Sequence, residues 1–221
     1  FDIYLCYNYL MNVAWYGQSC FRLETKGVSV LIDPFSRDIG LRPPRLNDNI
    51  FLVTHEHYDH NDVKKVAADS FVITGPGEYE KSGIYVEGIN SFHDNVQGTQ
   101  RGLNTIYIIK MDDMRFCHLG DLGQHQLTDE QVESIGDIDI LFIPIGGVYT
   151  IDGGQAAKII SQVEPKIIVP MHYKVPGLNI DLEGPERFLK EIGLKPEEVE
   201  TFKIAKKNLP TEEIKLIMFK I

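Results

Sequence analysis

The chain lacks the marks of a membrane protein, a disulfide scaffold and a nucleic-acid binder. It has no apolar run of about 18 residues, the length a membrane-spanning helix needs. Its three cysteines, Cys6, Cys20 and Cys117, are scattered and form no CxxC pair. That excludes a disulfide framework and fits a reducing cytoplasm. Basic residues are scarce: 22 Lys and Arg stand against 32 Asp and Glu, a formal net charge of −10. Such a field disfavours loose binding to nucleic acid or anionic membranes and leaves a small molecule as the expected partner. No GxxxxGK[ST] loop or GxGxxG turn is present, and no convincing GxSxG or Cys–His signature, so phosphate-loop and serine or cysteine nucleophile chemistry have no anchor. There is no coiled-coil seam, and the sequence leaves open whether copies of the chain form homo-oligomers.

What remains is an ordinary globular composition, 43% hydrophobic and 24% charged over 221 residues, with chain enough for a substantial core. Recognisable domain sequence begins at Met11, so residues 1–10 are read as a peripheral N-terminal extension and 11–221 as a single domain. The extension is aromatic-rich but has no basic n-region and no small-residue cleavage site. Short strand-like runs dominate the first half, at 13–16, 19–24, 28–32, 50–53, 71–74 and 84–89, with a helix expected from Asn61 to Ala68. The second half predicts strands at 105–110, 115–118, 138–143, 166–170, 200–204 and 214–219, and helices at 128–135, 154–163 and 186–192. Thr128 and Gln131 have capping-box spacing. Each half runs strands first, then helices interleaved with strands. That order predicts an α/β, four-layer arrangement of two face-to-face sheets with helices outside.

Within this frame the run His55-Glu56-His57-Tyr58-Asp59-His60 packs four potential metal ligands into six residues, directly after the apolar stretch 50–53. Residues two apart in an extended segment share a face, so His55 and His57 can reach one ion together. Asp59 and His60 follow about one turn later, at the expected start of the 61–68 helix. Histidine suits Zn, Mn and Fe, and an added carboxylate suits a catalytic centre better than a closed structural one. Further candidates fall at or just beyond strand ends: Asp33, His93, Asp121 and His172. Loops there are positioned by a rigid scaffold. Isolated caps and core histidines are a poor account of so many ligand types in this order.

The ordered set Asp33, HxHxDH, His93, Asp121 and His172 resembles the metallo-β-lactamase superfamily, over nearly the whole chain from Met11. The resemblance implies that superfamily's αββα sandwich, with two mixed β-sheets and helices on the outer faces. It implies one metal site from His55, His57 and His93, a second from Asp59, His60 and His172, and Asp121 bridging them. Asp33 looks like the carboxylate that orients a ligand histidine. Two divalent ions, Zn or Mn with Fe as a further candidate, would activate a hydroxide, with Asp59 and Asp121 as catalytic carboxylates. The stretches Gly120-Asp121-Leu122-Gly123, Pro144-Ile145-Gly146-Gly147 and Pro170-Met171-His172-Tyr173 look like compact hydrolases related to ascorbate-6-phosphate lactonase. The expected function is a metal-dependent hydrolase of a small ester, lactone or phosphodiester. One alternative is a nuclease of the same superfamily, against which stand the acidic charge and the lack of a substrate-gripping domain. Others are a non-hydrolytic, iron-dependent oxidoreductase and a metal-binding scaffold without turnover.

Residues near these motifs are weighed separately. Tyr149 and Tyr173 are candidate substrate contacts or oxyanion donors, with packing as the plainer role, and the same holds for Lys174. Arg101 and Arg45 are the candidate anchors for an anionic substrate. His118, inside a strand, is read as a core residue or one behind the ligands, and His125 as lining a pocket rim or facing solvent. Gly75-Pro76-Gly77-Glu78-Tyr79 reads as a turn that could shape the pocket. The Pro-rich stretch 41–46 reads as a surface loop near the site mouth.

Overall fold

The computed structural model describes residues 9–220, so most of the expected N-terminal extension (residues 1–8) lies outside the described residues. The first strands are β1 (Met11–Trp15), β2 (Phe21–Thr25), β3 (Val28–Ile32), β4 (Ile50–Leu52), β5 (Phe71–Ile73), β6 (Gly77–Lys81) and β7 (Ile84–Phe92). There follow β8 (Leu103–Met111), β9 (Met114–His118), helix α1 (Asp129–Ile135), β10 (Ile140–Pro144), α2 (Gly153–Val163) and β11 (Ile167–Met171). The chain ends with α3 (Glu186–Ile192), β12 (Pro196–Val199), β13 (Phe202–Ile204) and β14 (Lys215–Phe219).

The strands form two mixed sheets. One is six-stranded, in the order β13-β1-β2-β3-β4-β5, and the other eight-stranded, β12-β14-β11-β10-β9-β8-β7-β6. In β10 and β11, paired in parallel, all five positions of each strand are buried. This explains why they read as unbroken apolar runs rather than alternating ones. Helices α1 and α2 are the crossovers joining the parallel pairs β9–β10 and β10–β11. Helix α2 forms because Asp152 caps it, bonding the Gly154 and Gln155 amides, and because Ala156, Ile159, Ile160 and Val163 make one buried stripe. The predicted capping box of Thr128 and Gln131 opens α1.

The two sheets meet over an aromatic seam. Phe21 of β2 lies 4.3 Å from Phe142 of β10, centroid to centroid, and 6.1 Å from Phe219 of β14. Burying each such ring stabilises the fold by about 1.5–3 kcal/mol. Tyr107 of β8 is wholly buried, and its hydroxyl donates to Val53 O at 2.9 Å, just beyond β4. The sheets are thus fastened together where the histidine run begins.

One expectation fails. Residues 61–68 form turns, with no helix. The Asp62 amide is drawn to Pro34 O (2.8 Å), and Val66 N bonds Val63 O at i−3. Tertiary anchoring breaks the i→i−4 ladder, and an eight-residue segment has little cooperativity to oppose it. Strands β6 and β12 were not predicted.

Candidate metal centre

The candidate ligands gather at the C-terminal ends of strands. His55 follows β4, His93 follows β7, Asp121 follows β9 and His172 follows β11, while Asp33 follows β3. β7 and β9 are each antiparallel to β8, and β9, β10 and β11 are parallel, so their C-terminal ends share one rim. Two glycines let these segments approach. A Cβ on Gly123 would lie 2.4 Å from the His93 carbonyl carbon, and one on Gly146 would lie 2.1 Å from His172 O. Their places in the GDLG and PIGG stretches are therefore steric requirements of the rim.

Asp121 is the hub. Its Oδ2 lies 3.0 Å from His172 Nε2, 3.3 Å from His60 Nε2, 3.4 Å from His93 Nε2 and 3.9 Å from His55 Nε2. The His57 ring sits 4.5 Å from that of His55 and 5.0 Å from that of His93. Asp59 Oδ2 is 3.3 Å from His60 Nε2. Three groups have ligand atoms within 4.8 Å of one another: His55–His57–His93, His55–His60–Asp121 and Asp59–His60–His172.

Hydrogen bonding separates ligand-type histidines from structural ones. His118, fully buried, bonds Ser19 O through Nε2 (2.9 Å) and accepts the Gly120 amide at Nδ1 (3.1 Å), so both ring nitrogens are used. By contrast, Nε2 of His55 and of His60 and Nδ1 of His93 and of His172 are buried without a hydrogen-bond partner. An unpaired buried polar atom costs about 1–3 kcal/mol, so Nε2 of His55 and of His60, both facing Asp121 Oδ2, fit a cation-binding centre, whereas His93 and His172 turn Nε2 to Asp121 and Nδ1 away from it. The donor set of imidazole and carboxylate is that of Zn, Mn or Fe sites.

Electrostatics agree. Burial pushes the His55 and His93 imidazoles below the ordinary histidine value, which keeps their lone pairs free. Burial alone would also depress His60, but Asp121, Asp59 and Asp33 outweigh it and hold its pKa well above the ordinary value. Burial would raise Asp59 and Asp121, yet the surrounding imidazoles, His60 and His172, hold both below the usual carboxylate range.

A layer behind the hub fixes these orientations. Asp33, wholly buried at φ 47°, accepts the Thr54 amide and hydroxyl, each at 2.8 Å, and lies 3.0 Å from His60 Nδ1. Sequence reasoning overlooked Gln18, Ser19 and Asn104. Gln18 Nε2 donates to Asp59 Oδ2 (2.8 Å), Ser19 Oγ to Asp121 Oδ1 (3.2 Å), and Asn104 Oδ1 accepts the Asp121 amide (3.0 Å). The available signal was weak: Gly17 before two polar residues, between strand-like runs, marks a turn and nothing more.

A cavity of about 590 Å³ opens onto the centre, reaching His57, Asp59, His93, Asp121 and His172. Tyr58, Gln100, Arg101 and Tyr149 line it, with Asn179 and Asp181 from another loop. Tyr149 thus stands in the wall. Tyr173 does not: it is 4% exposed, and its ring packs 5.2 Å from Trp15. Lys174 anchors the loop that carries Asn179, donating to Leu178 O and Ile180 O. Arg45 is exposed, and its carbonyl accepts from Arg22; it does not line the cavity. His125 is exposed on a neighbouring hollow. Gly75 and Pro76 line a second hollow, and Gly77 begins β6.

The family described as the beta-lactamase superfamily domain matches residues 12–172. A UPF0173 metal-dependent hydrolase of Pyrococcus horikoshii is 29% identical over 94% of this chain and 100% of its own length. A UPF0173 protein of Pyrococcus abyssi is 33% identical over 76% of this chain and 85% of its own. Among solved structures, a metallo-β-lactamase superfamily protein from Thermotoga maritima superposes with a TM-score of 0.78 at 32% identity, covering 95% of this chain and 98% of that one.

Proposed function

The chain belongs to the beta-lactamase superfamily domain family and is a metal-dependent hydrolase, and on that premise we propose a dinuclear centre acting on a small ester, lactone or phosphodiester. The observation that carries the proposal is the convergence of four imidazole nitrogens on one buried carboxylate oxygen, Asp121 Oδ2. His55, His57 and His93 would hold one ion, Asp59, His60 and His172 the other, and Asp121 would serve both. Zn or Mn fits this donor set, and Fe is a third candidate. When bound, the ions would supply Lewis acidity and lower the pKa of water beside them towards about 7.

The protein's own groups do the rest. Asp33 holds His60 by Nδ1, so Nε2 faces the centre. Ser19 holds Asp121 Oδ1, which leaves Oδ2 facing the histidines. Gln18 holds Asp59 Oδ2 beside His60, and the His60 and His172 imidazoles keep Asp59 a charged carboxylate suited to holding a cation. Tyr149, in the cavity wall, would donate its hydroxyl towards a bound substrate.

The test is hydrolysis of one phosphodiester and one sugar-phosphate lactone by Mn²⁺- and Zn²⁺-reconstituted protein, with the same metal-containing buffer without protein as the blank. Turnover above the blank is expected, with the two metal-site variants His57→Ala and Asp121→Ala both falling to background. Unchanged hydrolysis in either variant would sink the proposal.

A further inference from the structure

Eight large hydrophobic side chains are exposed among the described residues, and five of them, Tyr58, Val96, Leu103, Val148 and Tyr149, lie around the centre. Tyr58 and Tyr149 line the main cavity. Leu103 lines an adjoining hollow that shares His57 and Arg101 with it, and Val96 lines another that shares Gln100, Arg101 and Tyr149. Val148 precedes Tyr149. Scattered apolar side chains are normal on a protein surface, but a cluster ringing a cavity marks a binding face.

Arg101 is common to all three hollows. Its guanidinium lies 5.6 Å from the Tyr149 ring centroid and donates one hydrogen bond, to Val148 O at 3.3 Å. No Asp or Glu among the described residues pairs with it, and a guanidinium has five N–H donors. Its placement is built in. Asp94, buried next to His93, accepts the amides of Val96, Gly98, Gln100 and Arg101 at 2.8–2.9 Å. Two of those four bonds hold the residues that line the cavity. The other charged side chain in the lining outside the centre is Asp181, so the cavity is polarised, and an anionic group is attracted to Arg101 and repelled from Asp181.

We infer that the substrate is an amphiphilic anion: an ester or phosphodiester whose apolar aryl or acyl body rests on the Tyr58–Tyr149 rim and whose negative charge is held by Arg101. The inference rests on the hydrolase reading above and narrows it away from sugar phosphates, which have no apolar body for the rim. The reaction balance is that of any hydrolysis. One water is consumed, a C–O or P–O bond breaks, and an acid and an alcohol leave.

The test uses metal-loaded protein and two dyes, anionic 1-anilinonaphthalene-8-sulfonate and uncharged N-phenyl-1-naphthylamine. The sulfonate should bind one-to-one and at least about fivefold more tightly than the neutral dye. Arg101→Ala should weaken the sulfonate about tenfold and bring the two dyes level, with Arg101→Lys intermediate, because the charge stays and the planar fork goes. Tyr149→Ala should weaken both dyes, and Lys190→Ala, at an exposed position of α3, neither. A parallel assay compares mono(4-nitrophenyl) glutarate with 4-nitrophenyl pentanoate, equal in length and different in charge. Arg101→Ala should lower kcat/KM for the glutarate alone. Equal affinity for both dyes, or an Arg101→Ala protein that still discriminates, overturns the inference. Dye discrimination without hydrolysis of any ester or phosphodiester would instead overturn the hydrolase reading while supporting the recognition site.

Discussion

Gln18 and Ser19 sit in one buried turn and hold one carboxylate each, Asp59 and Asp121. The consequences differ, because Asp59 belongs to one candidate metal group only, whereas Asp121 faces histidines of both. Loss of a partner behind a metal ligand typically weakens metal binding about 10- to 100-fold. Gln18→Ala is therefore expected to weaken the Asp59–His60–His172 site by that factor and leave the His55–His57–His93 site nearly intact. On the proposed dinuclear centre, a metal-competition titration would record a fall from two bound ions towards one; equal weakening of both sites would show that Gln18 does not act through Asp59. The lone tryptophan offers a second readout, since Trp15 Nε1 donates to the Gln18 carbonyl at 3.0 Å. At this scale the sequence was legible where residue type is itself chemistry. Histidine and aspartate at HxHxDH spacing have few other uses. Gln18, Ser19 and Asn104 carry no such mark, because an amide or hydroxyl in a turn acquires its role only from what folding brings opposite it.

At the scale of elements, the 94–102 loop is the part that most directly joins order to function. Asp94 accepts four backbone amides, which hold its carboxyl at a pKa of about 2 against burial, which alone would raise it. Its depressed pKa means that the latch is complete above about pH 4 and lost as pH falls towards 2. Asp94→Ala should speed amide hydrogen exchange at Val96, Gly98, Gln100 and Arg101 at neutral pH, with β10 and β11 unaffected. Unchanged protection at those four amides would mean that the loop is held by something else. Elements were legible in proportion to how apolar they are: β3, β10 and β11 stand out because burial selects their residues. The two missed strands, β6 and β12, are the two edges of the eight-stranded sheet. Gly-Glu-Tyr-Glu-Lys and Pro-Glu-Glu-Val are polar because an edge facing water must avoid pairing with other chains. The mistaken helix at 61–68 had acceptable local spacing, and it lost to Pro34, a contact no window of sequence contains.

At the scale of the whole molecule, protons and cations compete for one buried cluster in an otherwise acidic protein of net charge −10. His60 is raised well above its ordinary 6.5 by the carboxylates around it, against burial. In the metal-free fold its stabilising contribution is complete below about pH 6.5 and is lost as pH climbs through the raised value. Asp59 and Asp121 run the other way: they are depressed below 3.8, so their contribution holds above about pH 4 and is lost in acid. A ligand histidine must be unprotonated, so if His60 is a ligand, as proposed, loading would expel its proton and tighten as pH rises. Bound metal stabilises the native state by RT ln(1 + [L]/Kd). Both effects therefore widen the difference in Tm between loaded and EDTA-stripped protein as pH rises from about 5.5 to 8.5. The widening should be smaller, though still present, in Asp33→Asn protein, where one of the three carboxylates that raise His60 is neutral and Asp121 and Asp59 remain. A difference that stays constant, or grows towards acid, would place the competing proton on some group other than His60.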